Sequence, residues 1–132
     1  MKQTICLVED NADNRLLIHA ILDDVYDVIE YVDGISALAG LKIVHPDVVL
    51  LDISLPELDG TEVLTRLRQD PETRTLPVIA LTAHAMAGDR ARFLAAGFDD
   101  YVTKPIADEE LLMSAIARCL LSPSGAANAT HI

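Results

Sequence analysis

A chain of 132 residues, 51% hydrophobic and 4% aromatic, has the length of one domain, and a domain of that size buries about two-thirds of its unfolded surface without needing disulfides or a structural metal. Ten basic residues against 21 acidic ones give a formal charge of -11, which repels nucleic acid and anionic membrane and argues against direct DNA binding. No apolar run approaches the ~20 residues of a membrane span, and the N-terminal apolar segment is too short for a signal peptide and ends in acids, so a cytoplasmic protein with no membrane insertion is expected. Cys6 and Cys119 lack any CxxC or zinc-like spacing and read as reduced core thiols. His19, His45, His84 and His131 are too scattered to suggest a histidine metal site.

Thr4 to Val8 is a short apolar run ending in Glu9-Asp10-Asn11, side chains that suit a loop and a helix cap. Ala12 to Leu22 follows as a helix, with Leu16, Leu17, Ala20 and Ile21 as its apolar face and Asp13 in the first turn. Tyr26 to Val32 is rich in β-branched and aromatic residues and reads as a second strand, and Gly34 with the run Ser36 to Val44 as a second helix closed by His45-Pro46. Val48-Val49-Leu50-Leu51 runs into Asp52 and then breaks at Pro56 and Asp59-Gly60. A continuous apolar run of this kind suits a parallel strand buried on both faces. Val63, Leu64 and Leu67 mark a third helix, ended by Asp70-Pro71. Leu76 to Thr82 is a fourth strand, Ala83 to Ala96 a loop and fourth helix with Gly97 as C-cap, and Asp99 to Pro105 a short fifth strand. Ala107 to Leu121 carries Leu111, Leu112, Ala115, Ile116 and Cys119 at helical spacing.

Alternating strands and helices predict an α/β fold with a five-stranded parallel sheet covered on both sides. Residues 1–121 form this domain. Residues 122–132, Ser-Pro-Ser-Gly-Ala-Ala-Asn-Ala-Thr-His-Ile, have too little apolar bulk to fold alone and read as a flexible tail or linker stub.

The strand ends carry the chemistry. In a flavodoxin-like doubly wound order, 2-1-3-4-5, the first and third strands are neighbours, so Glu9, Asp10 and Asp52 converge where such sheets bind ligands. Two unit charges ~4 Å apart repel by about 4 kcal/mol at an effective dielectric of ~20, so a divalent cation or a raised pKa must relieve the cluster. Carboxylate oxygens completed by water and phosphate suit Mg²⁺. Lys104 adds a compact cation and Thr82 a hydroxyl, a set that suits an aspartyl phosphate. Singly, Lys104 reads equally as a surface lysine, Thr82 as a helix cap, and Glu9 and Asp10 as cap residues. The specific signal is their joint occurrence at strand ends.

These segments, Leu7-Val8-Glu9-Asp10-Asn11, Leu50-Leu51-Asp52-Ile53-Ser54-Leu55-Pro56 with Asp59-Gly60, Ala80-Leu81-Thr82-Ala83 and Tyr101-Val102-Thr103-Lys104-Pro105, resemble in order and spacing the receiver domain of bacterial two-component response regulators, over Lys2 to Leu121. The resemblance implies that Asp52 accepts a phosphoryl group from a histidine kinase or histidine phosphotransfer protein. It implies Mg²⁺ held by Asp10, Asp52 and the Ser54 backbone carbonyl, with Glu9 acting through a coordinated water. Thr82 and Lys104 are then expected to bind phosphoryl oxygens, and the Lys104-Pro105 bond to be cis. Thr82 and Tyr101 are expected to switch a surface of fourth helix, fifth strand and fifth helix, roughly Met86 to Leu121, that selects a downstream protein, with phosphorylation-dependent dimerisation a further expectation. Tyr101 as plain packing stays open. Ser54 and His84 fall where members of the family vary the rate of dephosphorylation.

A phosphatase of the haloacid dehalogenase type would also use an aspartyl phosphate, but it needs a second acid two residues after the nucleophile, where this chain has Ser54. An enzyme acting on outside substrates is therefore not expected. A dinucleotide-binding domain lacks its GxGxxG after the first strand. A receiver-like module that binds partners without phosphorylation would be marked by loss of an acid or of the lysine, and none is missing. The chain reads either as a stand-alone regulator, favoured by Met1 just before the first strand, or as a receiver from a hybrid histidine kinase phosphorelay.

Overall fold

The computed structural model of the chain describes residues 2–83, 89–106 and 108–121. The strands are β1 (Thr4–Val8), β2 (Asp27–Tyr31), β3 (Val48–Asp52), β4 (Val78–Thr82) and β5 (Asp100–Thr103). Between and after them run α1 (Ala12–Leu22), α2 (Gly34–Leu41), α3 (Gly60–Gln69), α4 (Asp89–Ala96) and α5 (Glu109–Leu121). All four strand pairings are parallel, and the order is β2-β1-β3-β4-β5, the flavodoxin-like order expected from the sequence. The winding reverses between β1 and β3, which opens a crevice at the carboxyl ends of those two strands.

Alternation along the strands divides the interior in two. Ile5, Leu7, Val48, Leu50, Ile79, Leu81 and Val102 meet Ile18 and Leu22 of α1 and Leu112, Ala115, Ile116 and Cys119 of α5. Cys6, Val8, Val49, Leu51, Val78 and Ala80 meet Ala37 and Leu41 of α2, Val63, Leu64 and Leu67 of α3 and Phe93 of α4. Every residue of β3 and β4 is buried, as a strand covered on both faces requires. Each fully buried Leu, Ile or Val here contributes about 1.5–3 kcal/mol. β2 lies at the sheet edge, and its acids Asp27 and Glu30 are exposed there, a charge placement that discourages pairing with another chain.

Acids and amides start the helices. Asn11 accepts from the Asn14 N–H at 2.9 Å, Asp33 from the Ser36 N–H at 2.7 Å, and Asp59 from the Glu62 N–H at 3.0 Å. These bonds satisfy backbone donors that the first turn leaves unpaired. At the opposite end of the sheet from these loops, the Arg68 guanidinium donates to the carbonyls of Arg74, Leu76 and Gly97 and to the Asp99 carboxylate, tying the end of α3 to the entries of β4 and β5.

Two expected faces are corrected. On α1, Leu16 is 71% exposed, Leu17 and Ala20 are exposed as well, and the buried residues are Ile18 and Leu22 with Ile21 packed beside them. At ~100° per residue, Leu16-Leu17-Ala20-Ile21 and Ile18-Ile21-Leu22 are both continuous apolar stripes. The sheet takes the second because it also carries Arg15 and His19 toward β2, where both meet Glu30. Leu111 on α5 is likewise 60% exposed, and Leu112, Ala115, Ile116 and Cys119 suffice to cover the sheet. The second strand is shorter than expected, and the second helix starts at Gly34, capped by Asp33, and ends at Leu41, short of the expected Val44. α4 starts at Asp89, and the expected segment 84–88 before it, with His84 and Met86, lies outside the described residues, as do Ala107 and the expected tail 122–132.

Candidate functional site

The site is built at the carboxyl edge of the sheet. Asp52 is the last residue of β3 and carries the alternation of Val48 and Leu50; Glu9 follows β1 with the alternation of Ile5 and Leu7; Lys104 follows β5 with that of Val102. Three strands therefore deliver their terminal charged side chains on one side of the sheet. The Lys104 Nζ lies 3.0 Å from Asp52 Oδ2 and 3.1 Å from Glu9 Oε1. The Asp52 carboxylate is further held at Oδ1 by the Ser54 N–H, 2.9 Å away, and Glu9 Oε2 accepts from the Asn11 N–H at 3.1 Å. Glu9 and Asp52 are 0% and 1% exposed, whereas Asp10 stands exposed at the rim.

Glu9, Asp10 and Asp52 each bring a carboxylate oxygen to within 4.8 Å of one another. A set of hard oxygen donors with one open side fits a divalent cation of the Mg²⁺ or Ca²⁺ type, and not a soft metal. Burial pushes the Glu9 carboxyl above its ordinary range, and the Asp52 charge adds to this, against the pull of the Asn11 N–H and Lys104. Burial acts oppositely on Lys104 and would weaken its ammonium, but the hydrogen bonds and charges of Asp52 and Glu9 outweigh it and raise its pKa. The ammonium is thus kept charged where two carboxylates face it.

Thr82 ends β4 and is buried; the Lys104 N–H donates to its carbonyl at 2.7 Å, which fixes the turn carrying the lysine. Tyr101 shares the sheet face of Ala80, its partner in register, and its ring lies 5.4 Å from that of Phe93 on α4. Thr82, two residues beyond Ala80, carries the same alternation. The Lys104-Pro105 peptide is cis. Ser54 is exposed in the loop after β3, and the contact it makes to Asp52 is through its N–H. The loop turns at Glu57, whose φ of 62° lies in the left-handed region.

Arg15 leaves little trace in the sequence, and Gly60 shows there only as part of the loop after Asp52. Arg15 Nη1 donates to the carbonyls of both Glu9 and Asp10, at 2.9 and 3.0 Å. Its only trace in the sequence is a cation one turn into the helix that follows the acidic pair. Gly60 reads as a turn residue, yet a Cβ there would lie 2.4 Å from the Asp52 carbonyl oxygen and 2.6 Å from Ile53 Cα. The start of α3 is packed on the backbone of the central acid.

The family model of the response regulator receiver domain matches residues 5–116. The chain is 41% identical over 112 residues to the signal transduction histidine-protein kinase BarA of Shigella flexneri, an alignment that covers 84% of this chain and 12% of that kinase. It is also 41% identical over 107 residues to the polar-differentiation response regulator DivK of Brucella ovis, covering 80% of this chain and 87% of that protein. Among solved structures, the receiver domain of the sensor histidine kinase PA1611 from Pseudomonas aeruginosa PAO1, with a magnesium ion coordinated in its active site cleft, matches with a TM-score of 0.83 at 38% identity over 92% of this chain and all (100%) of that one. A putative response regulator from Chloroflexus aurantiacus matches with a TM-score of 0.85 at 29% identity, over 92% of this chain and 99% of that chain.

Proposed function

Because the chain belongs to the response regulator receiver domain family, we propose that Asp52 accepts a phosphoryl group from a phosphohistidine of a histidine kinase or phosphotransfer protein and that the modified domain changes its protein contacts. The observation that carries this is the shared ammonium: one lysine spans a buried acid on β3 and another after β1, beside a third acid at the rim. In the reaction a carboxylate oxygen of Asp52 forms the new P–O bond while the P–N bond to the donor imidazole breaks. The imidazole leaves with the electron pair and is protonated from solvent. Lys104 moves its contact from the carboxylate to a phosphoryl oxygen, and Thr82 at the adjacent strand end donates its hydroxyl to another. The Ser54 N–H holds the carboxylate in place.

Asp10, Asp52 and the Ser54 carbonyl would hold Mg²⁺, as the donor set and the magnesium in the cleft of the Pseudomonas receiver support. Glu9 would act through a bound water, in keeping with the two donors its oxygens already have. When bound, the cation neutralises the charge shared by the acids and the incoming phosphoryl group. The site residues otherwise orient the acceptor; Ser54 in place of a second acid agrees with a signalling role in preference to turnover of outside substrates.

The output surface of this reading is formed by α4, β5 and α5. Asp100 at the start of β5 takes Arg90 of α4 at 2.8 Å on one oxygen and Arg118 of α5 at 2.7 Å on the other, which favours movement of the three elements together. Thr82 drawn toward the phosphoryl group would vacate space on the face that Tyr101 shares, and the ring would follow. The chemistry is the same whether the domain stands in a protein of DivK's length, of which the alignment covers 87%, or in a kinase of BarA's length, of which it covers 12%. Incubation with Mg²⁺ and acetyl phosphate is expected to add one phosphoryl group by intact mass and Asp52→Asn to prevent it. Equal modification of both proteins would overturn the assignment.

A further inference from the structure

The β1–α1 loop presents two carboxylates, one buried and one at the rim, and the Asn11 N–H is bonded to Glu9 Oε2 within it. Glu9 is anchored by its N–H to the Tyr31 carbonyl at 3.1 Å and Asn11 by its carbonyl to the Arg15 N–H at 3.0 Å. Between them, the carbonyls of Glu9 and Asp10 converge on a single atom, Arg15 Nη1. The guanidinium is itself aimed: its Nε lies 3.6 Å from Glu30 Oε1 on β2, and Glu30 Oε2 is bonded to His19 Nδ1, one turn further along α1. The Arg15 side chain is 19% exposed; its bond to the Glu9 carbonyl is partly shielded from water and its bond to the Asp10 carbonyl is open to solvent.

We propose that Arg15 is a positioning residue for the cation site: by clamping the carbonyls of Glu9 and Asp10 it fixes the direction of the Asp10 carboxylate relative to Asp52, with Glu30 orienting the clamp. This rests on the reading that Asp10 and Asp52 hold a divalent cation. A lysine cannot replace it in full, because a planar guanidinium can serve the two carbonyls and Glu30 together, whereas an ammonium is a point donor. Groups that orient metal ligands commonly account for ten- to hundred-fold in affinity.

The test is Mn²⁺ binding, followed by the loss of the free-ion electron paramagnetic resonance signal, on the wild type and on Asp10→Asn, Arg15→Ala, Arg15→Lys and Glu30→Gln, each with its thermal midpoint measured in the absence of metal. Saturable binding by the wild type that Asp10→Asn removes establishes the site itself. Against that, Arg15→Ala is expected to bind about ten-fold more weakly, and Arg15→Lys and Glu30→Gln each about three-fold more weakly, with thermal midpoints close to the wild type. Arg15→Ala within two-fold of the wild type would overturn the clamp and leave the cation site standing. Arg15→Lys equal to the wild type would also overturn the clamp as stated, since a point donor without the planar fork to Glu30 would then suffice, and this comparison holds even if Arg15→Ala fails to fold. No saturable binding by the wild type would remove the cation site and the clamp together.

Discussion

Lys104 Nζ lies 3.0 Å from Asp52 Oδ2 and reaches Glu9 as well, so a single ammonium from beyond β5 compensates two buried carboxylates. Lys104→Met keeps the aliphatic packing and removes that compensation. Breaking a buried pair costs about 3–5 kcal/mol, and since the lysine sits at the sheet rim the lower end, about 3 kcal/mol, is expected at pH 7 without metal. The orphaned Glu9 carboxyl, already pushed up by burial, can escape by taking up a proton, so the deficit against the wild type should shrink at pH 5. Urea unfolding of both proteins in EDTA at the two pH values measures this; an equal deficit at both would assign the loss to packing.

Glu9 gives the wild type a pH dependence of its own. Its folded pKa is raised above the ordinary 4.5, so the folded state holds its proton where the unfolded state has lost it. Below that ordinary value the group is neutral in both states and contributes nothing. As pH rises through the window from there to the folded pKa, the folded state binds more protons than the unfolded one and stability falls. Glu9→Gln lacks this term, so the stability difference, wild type minus variant, should decrease across the window in metal-free buffer and level off above it. Asp33, Asp59 and Asp100, whose pKa values are lowered, run the other way in both proteins, losing their contribution as pH falls through their folded values, and cancel in the comparison. A difference that grows with pH would mean that Lys104 outweighs burial at this carboxyl.

The central strands were legible because burial on both faces demands an unbroken apolar run, and Val48 to Leu51 has one; Asp52 stands out by interrupting it. The acids and the lysine were legible for the same reason, as polar residues placed where strands end. What the pattern of α1 did not contain was the choice between two overlapping stripes, since that is made by the sheet and by Arg15 and His19 finding Glu30 on β2. Arg15 leaves little trace because its bonds within the site go to backbone carbonyls, and its side-chain partner Glu30 lies on a strand that only the fold brings beside it. Gly60 was visible as a turn residue, but the approach of α3 to the Asp52 backbone is a tertiary fact.

That approach yields the sharpest stability prediction. A Cβ at position 60 would lie 2.4 Å from the Asp52 carbonyl oxygen and 2.6 Å from Ile53 Cα, both backbone atoms that cannot rotate away. Gly60→Ala gains up to about 1 kcal/mol of helix propensity, but overpacking against fixed atoms costs about 1–3 kcal/mol and displaces the strand end as it does so. The expected result is net destabilisation of about 1–2 kcal/mol together with an acetyl-phosphate phosphorylation rate lowered about ten-fold in the folded protein, because small displacements of a reacting group are costly. Gly40→Ala is the comparison: its Cβ would meet the phenol end of Tyr31, at 2.0 Å from the hydroxyl, a side-chain clash in place of a backbone one, and Gly40 lies on α2 and not at the strand ends that carry Asp52 and Lys104. Its phosphorylation rate should match the wild type. If Gly60→Ala loses stability but keeps the wild-type rate, the glycine serves the fold alone and the strand end tolerates the shift.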